Sequence, residues 1–214
     1  MASMKILLSL ETKESLEVFP YLGKYVDGIK INHLLWNEVD FVVEDGKELF
    51  VDFKLWDTPN TVKTVVESII KKGGTMTTIS TFNCESVFDE LEQYKNDIKL
   101  LAVTYLTSWN RDEQYQICRE MPDFMWRRHL SRVKGFYGVV CSAQDIGMLS
   151  GADKSLKRVC PGITYGNNNS GQVRVTTPKE AKELGADYIV IGRTITESKD
   201  PIGIIKDIRK QLAP

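Results

Sequence analysis

Apolar and polar positions alternate along this chain in blocks. Short apolar runs are separated by longer segments whose apolar residues recur at helical spacing. The short runs predict strands at Lys5–Leu10, Gly28–Ile31, Glu48–Phe53, Met76–Ser80, Lys99–Thr104, Phe136–Cys141, Arg158–Cys160 and Tyr188–Ile191. The longer segments predict helices over Ser15–Tyr25, Thr61–Lys72, Cys84–Tyr94, Arg111–Arg119, Asp123–Val133, Ser142–Met148, Thr177–Leu184 and Pro201–Leu212. In the second of these, Val62, Val65, Val66, Ile69 and Ile70 form one stripe, with Asn60 placed as its N-cap. Thr177 and Pro178 read as N-cap and first helical residue, and Gly185 as the stop before the last strand. Eight strand–helix units predict an α/β fold, a parallel TIM (β/α)8 barrel rather than an open doubly wound sheet. The 214 residues form a single domain on this reading, 1–214, near the lower length limit of about 200 residues for such barrels.

Composition narrows the function classes. A formal net charge of −1 gives no electrostatic footprint for nucleic acid or an anionic membrane. No run approaches the roughly 18 apolar residues of a membrane span. The opening MASMKILLSLE carries no charged stretch ahead of its apolar run, so a signal peptide is not expected. Cys84, Cys118, Cys141 and Cys160 are widely spaced with no C-x-x-C pair, which argues against zinc and for reduced thiols in the cytoplasm. His33 and His129 have no partner pattern, and His129, in MWRRHLSR, is expected on a helix surface.

The chemistry concentrates in Phe50–Val62, FVDFKLWDTPNTV. Residues two apart on a strand share a face, so Asp52 and Lys54 point together and Phe53 points away. Asp57 follows just before Pro59-Asn60, which ends the regular element. Unpaired charges are costly inside a fold, so an acid, a base and an acid among aromatic and aliphatic neighbours signal a working site. Barrels carry function at the C-terminal ends of their strands. Those ends supply Glu11, Lys30, Asp52 with Lys54, Thr78–Thr81, Thr104–Ser108, Cys141–Ser142, Pro161–Gly162 and Gly192–Arg193. Adjacent strands lie about 4.8 Å apart, which brings Glu11, Lys30, Asp52 and Lys54 within charge-pairing reach.

D-F-K-L-W-D-T-P-N-T resembles the signature of the orotidine 5′-monophosphate decarboxylase family, D-x-K-x-x-D continued by Pro-Asn-Thr. I-V-I-G-R-T-I-T resembles that family's V-G-R-x-I-T, and Cys160-Pro161-Gly162-Ile163 its T-P-G-I. The resemblance implies cofactor-free decarboxylation of orotidine 5′-monophosphate to uridine 5′-monophosphate, in pyrimidine biosynthesis. It maps a charge row onto Lys30, Asp52, Lys54 and Asp57, with Asp57 supplied by the partner subunit of a homodimer. Lys54 then protonates C6 as carbon dioxide leaves, and Asp52 lies against the departing carboxylate. Carboxylates beside an ammonium favour its charged form, as a proton donor requires. Substrate contacts are implied for Glu11, Thr58, Thr61, Thr107, Pro161, Gln172, Gly192 and Arg193, with Gln172 bridging phosphate and base from a lid at Thr164–Gly171.

Two positions depart from the family pattern. Ser9-Leu10-Glu11 replaces Ala-Leu-Asp, whose Asp holds a ribose hydroxyl, and Thr164 replaces an Arg that grips phosphate. Arg174 stands as a possible substitute for that Arg, or as a solvated lid residue. Trp109–Gly135 carries no signature. Two other readings stand beside the leading one. A magnesium-dependent phosphosugar decarboxylase or aldolase of the same suprafamily would use Glu11 towards a metal. A barrel that binds nucleotide without turnover would have no need of the intact row.

Overall fold

The computed structural model describes residues 3–37, 46–119, 122–133, 135–151, 155–166 and 174–213. Its strands are β1 (Lys5–Leu10), β2 (Gly28–Ile31), β3 (Glu48–Leu55), β4 (Met76–Ser80), β5 (Lys99–Val103), β6 (Gly138–Val140), β7 (Lys157–Cys160) and β8 (Tyr188–Ile191). They pair in sequence order, all parallel, and β8 closes on β1. The helices are α1 (Lys13–Leu22), α2 (Pro59–Lys71), α3 (Glu85–Leu91), α4 (Arg111–Cys118), α5 (Pro122–Leu130), α6 (Pro178–Leu184), α7 (Arg193–Thr196) and α8 (Pro201–Leu212). Ala143–Gly151, between β6 and β7, is a 3-10 helix. This is the TIM barrel that the alternating blocks imply.

Strand periodicity sorts side chains into two cores. Ile6, Leu8, Leu10, Ile29, Ile31, Leu49 and Val51 pack outward with the helices. Leu7, Phe50, Met76, Leu101, Val159, Tyr188 and Val190 alternate with them and fill the barrel. Below that plug, at the N-terminal ends of the strands, buried Glu48 takes bonds from Lys5 (3.2 Å), Thr75 (2.8 Å) and Lys99. Above it, inward positions turn polar: Ser9 lies beside Lys30 in register, and Lys30 beside Phe50, one step before Asp52. The apolar layer therefore sets a floor under the charges.

Several local expectations are corrected. α2 begins at Pro59 with Thr58 in the N-cap position, not after Asn60. Pro59, expected only as a stop, suits the first helical position, where its missing N–H costs nothing. β3 runs to Leu55, and its pairing with β4 shifts between Val51 and Leu55. The four-residue α7 was too short to leave a periodic signal. His129 is buried, not on a helix surface: its Nδ1 lies 2.9 Å from Thr81 Oγ1, and its ring packs on Phe82 at 4.8 Å. Cys141 and Cys160, far apart in sequence, sit with sulfurs 4.0 Å apart because β6 and β7 are neighbours. Its hydrogen bond with Cys160 and its burial push the Cys141 thiol up, so it stays protonated. Thr177, Pro178 and Gly185 cap α6 as expected, Gly185 at a left-handed φ of 95°.

Candidate active site

The charge row spans the ends of β1, β2 and β3. Lys30 is buried, its Nζ 3.6 Å from Glu11 Oε1 and 3.6 Å from Asp52 Oδ2. Asp52 Oδ2 also accepts from Lys54 Nζ at 2.9 Å. Lysine on an apolar strand is here neither snorkelling nor solvated: it bridges two carboxylates. The far end of the row is held by short-range contacts. Ser9 Oγ donates to Glu11 Oε1 at 3.1 Å, and the Glu11 N–H donates to Ser15 Oγ at 3.1 Å, inside the capping box that starts α1.

Burial pushes the Asp52 carboxyl up. The ammonium charges of Lys54 and Lys30, with hydrogen bonds from Lys54 and Thr78, outweigh it and hold Asp52 below its ordinary value. Asp52 is thus ionised at neutral pH although only 14% of its side chain is exposed. Lys54 sits at φ 52°, a left-handed conformation that costs a non-glycine residue roughly 1 kcal/mol or more. Strain of this kind collects where a fold must aim a side chain.

Beside the row lies an open cleft lined by Ser9, Glu11, Lys30, Asp52, Pro161, Gly162, Gly192 and Arg193, among others. Phe50 and Val190 form part of its floor. At Gly192 a Cβ would stand 3.2 Å from Ser9 Cβ, so only glycine lets this turn close against β1 without moving the residue that braces Glu11. One wall is anionic and cationic in alternation, and the ends of β7 and β8, the latter paired with β1, offer backbone turns and a guanidinium. That combination suits a small polar anion with a second functional end.

The structure gathers Glu11, Lys30, Asp52, Pro161, Gly192 and Arg193 around this cleft, with Lys54 joined through Asp52. Asp57, Thr58 and Thr61 are exposed at the start of α2. There Thr58 N–H donates to Asp57 Oδ1 at 2.7 Å, and the two threonine hydroxyls lie 3.0 Å apart. Thr107 is half-buried in the turn after β5, outside the cleft lining. Gln172 and most of the lid stretch lie outside the described residues. Thr164 is buried, its N–H bonded to Thr176 O at 3.0 Å. Arg174 is neither solvated nor aimed at the cleft: it pairs with buried Asp145, which also accepts from Tyr105 at 3.2 Å. Thr78 was the residue sequence reading left unassigned. Its Oγ1 donates to Asp52 at 2.9 Å and accepts from Lys54 N–H at 2.8 Å. Only its place at the end of the strand after the D-F-K run pointed to it.

The model of the orotidine 5′-phosphate decarboxylase / HUMPS family matches residues 6–208. An orotidine 5′-phosphate decarboxylase of Dictyoglomus turgidum is 34% identical, over 94% of this chain and 91% of its own. That of Glaesserella parasuis is 38% identical, over 80% and 79%. Among solved structures, orotidine 5′-phosphate decarboxylase from Lactobacillus acidophilus superposes with a TM-score of 0.78 at 26% identity, covering 99% of this chain and 100% of that one. The Pyrococcus horikoshii structure, at 21% identity and a TM-score of 0.77, covers 97% and 98% and shares the fold.

Proposed function

The chain belongs to the orotidine 5′-phosphate decarboxylase / HUMPS family, and from that premise we propose that it is a cofactor-free carboxy-lyase converting orotidine 5′-monophosphate to uridine 5′-monophosphate and carbon dioxide. The observation that carries this reading is the row Glu11–Lys30–Asp52–Lys54 standing over an apolar floor at the mouth of the barrel. In the reaction the bond from C6 to the carboxylate breaks, its electron pair stays on C6, and carbon dioxide departs. Lys54 then transfers a proton from Nζ to C6. Its positive charge lies where carbanion charge develops, the kind of preorganised stabilisation that contributes most to many enzymes. Asp52, kept ionised by its neighbours, faces the substrate carboxylate, and that like-charge proximity is relieved as charge moves onto the ring.

Arg193 and the Gly192 turn take the phosphate, Pro161 borders it, and Gln172 bridges phosphate and base. Glu11, longer by a methylene than the usual Asp, takes a ribose hydroxyl with Ser9 as its brace. Thr107 meets the pyrimidine. Asp57, with Thr58 and Thr61, completes the site of a neighbouring subunit in a homodimer. The exposed position of Asp57 beyond the end of β3, with no bond to its own charge row among those described, supports that arrangement. The whole chain works as one domain, in the cytoplasm, on the pathway to uridine nucleotides.

The test is direct. Purified protein, exhaustively treated with chelator, is given orotidine 5′-monophosphate while loss of the orotate absorbance is followed. Turnover that survives chelation and falls by about 10³-fold or more in Lys54→Ala is expected. Near-wild-type turnover by that variant overturns the mechanism, and turnover that dies with chelation reinstates the metal-dependent sibling.

A further inference from the structure

The register of β3 against β4 changes where the charge row is built. Val51 pairs with Thr77 and Leu55 with Ile79, so four steps along β3 run beside two along β4. The surplus lies in Asp52, Phe53 and Lys54, and the residue opposite them is Thr78. A bulge of this kind re-aims side chains and leaves backbone groups without ladder partners. Thr78 is fully buried, and its Oγ1 accepts from the Lys54 N–H at 2.8 Å, supplying the partner that the ladder does not. The same oxygen lies 2.9 Å from Asp52 Oδ1. A hydroxyl has one proton to give, and with the Lys54 N–H already donating to it, that proton goes to the carboxylate. One side chain thus ties the left-handed backbone of Lys54 to the carboxylate that its own ammonium meets at 2.9 Å. Phe53 is turned the other way, edge-on to Trp36 at 5.4 Å, which pins the outer side of the bulge.

We propose that Thr78 is a positioning residue for the decarboxylation, its hydroxyl holding the bulge so that the Lys54 ammonium and the Asp52 carboxylate keep a fixed mutual geometry at the mouth of the barrel. The proposal rests on the decarboxylase reading for its kinetics, though not for its geometry. It gives the second strand of the pair a role in the chemistry without contact with the reacting atoms.

The experiment compares Thr78→Val, which keeps the shape and loses the hydroxyl, with Thr78→Ser, which keeps the hydroxyl. Thr78→Ala takes the place of Val should that variant not fold. In Thr78→Val kcat is expected to fall by about 10- to 100-fold, the scale of a small misplacement, with KM moving less. Thr78→Ser is expected to stay within about threefold of wild type. A second readout does not need turnover: the Asp52 carboxyl carbon, followed by NMR, titrates at higher pH in Thr78→Val. Asp52 is faced by Lys30 from β2, Lys54 from β3 and Thr78 from β4, and only the last is changed. Val and Ser variants that fall alike overturn the proposal, as does a Val variant with kcat unchanged and its loss confined to KM. If the wild type does not act on orotidine 5′-monophosphate, the decarboxylase reading fails. The titration then decides the positioning role alone, an unmoved Asp52 counting against it.

Discussion

Asp57 offers the sharpest prediction, because its own chain gives it so little to do. The carboxylate is exposed, and among the described contacts it accepts one hydrogen bond, from Thr58 N–H at 2.7 Å, while its N–H donates to Asn83 Oδ1. Replacing it by Ala therefore removes a solvent-exposed bond near a helix start, a loss of about 0.5–1 kcal/mol. For a chain of this size that is roughly 1–4 °C in Tm. Lys54→Ala is similarly mild for the fold, since 41% of its side chain is exposed and its partner Asp52 keeps Lys30. Both variants should fold and both should be inactive. Mixed in equal amounts under subunit exchange, about half of the dimers carry one chain of each kind. A shared-site dimer of that kind holds one doubly defective site and one intact site, so the mixture should recover about a quarter of wild-type activity. The assay is orotate absorbance loss before and after exchange, with dimer composition read by native mass spectrometry on distinguishable tags. Confirmed exchange with activity still at background refutes the shared site and returns Asp57 to its own chain.

Three further outcomes follow from contacts already described. Arg193→Ala should raise KM for the nucleotide by about 10- to 10³-fold while hardly changing residual activity on orotidine, which lacks the phosphate; equal losses on both would show another role. Glu48→Gln should lower Tm by roughly 2–8 °C at neutral pH. That corresponds to about 1–2 kcal/mol once the part-exposure of Lys5 and Lys99 is allowed for. Burial pushes the Glu48 carboxyl up, but Lys99, Thr75 and Lys5 outweigh it and hold its folded pKa below the ordinary value of 4.5. Its contribution is therefore present above that value and lost as pH falls through the folded pKa. The gap between wild type and variant should close in acid, and a gap that persists there refutes the assignment. Asp145→Ala should cost about 3–5 kcal/mol, read by urea denaturation, because it strands the Arg174 guanidinium and leaves the Tyr105 hydroxyl without its acceptor.

Much of this protein was legible in the order of its residues. Periodicity two in the short runs and three to four between them specified eight parallel strands with helices outside, because only that packing buries both kinds of apolar face. Lys5–Leu10, Gly28–Ile31, Met76–Ser80, Tyr188–Ile191 and Pro201–Leu212 fall where the pattern puts them. Charged residues at strand ends named Glu11, Lys30, Asp52 and Lys54, because an ion on an apolar strand is tolerated only with partners. What the order of residues left open depends on neighbours that are distant in sequence. Alternation alone makes Asp52 and Lys54 share a face, yet it says nothing of a bulge that spends Asp52, Phe53 and Lys54 against a single Thr78. Arg174 reads as a phosphate ligand or a solvated lid residue and His129 as a surface one, because a lone charge or imidazole carries no local sign of the buried Asp145 or Thr81 that receives it. Pairing energies of this kind are set by distance and desolvation, both of which exist only once the chain has closed into its barrel.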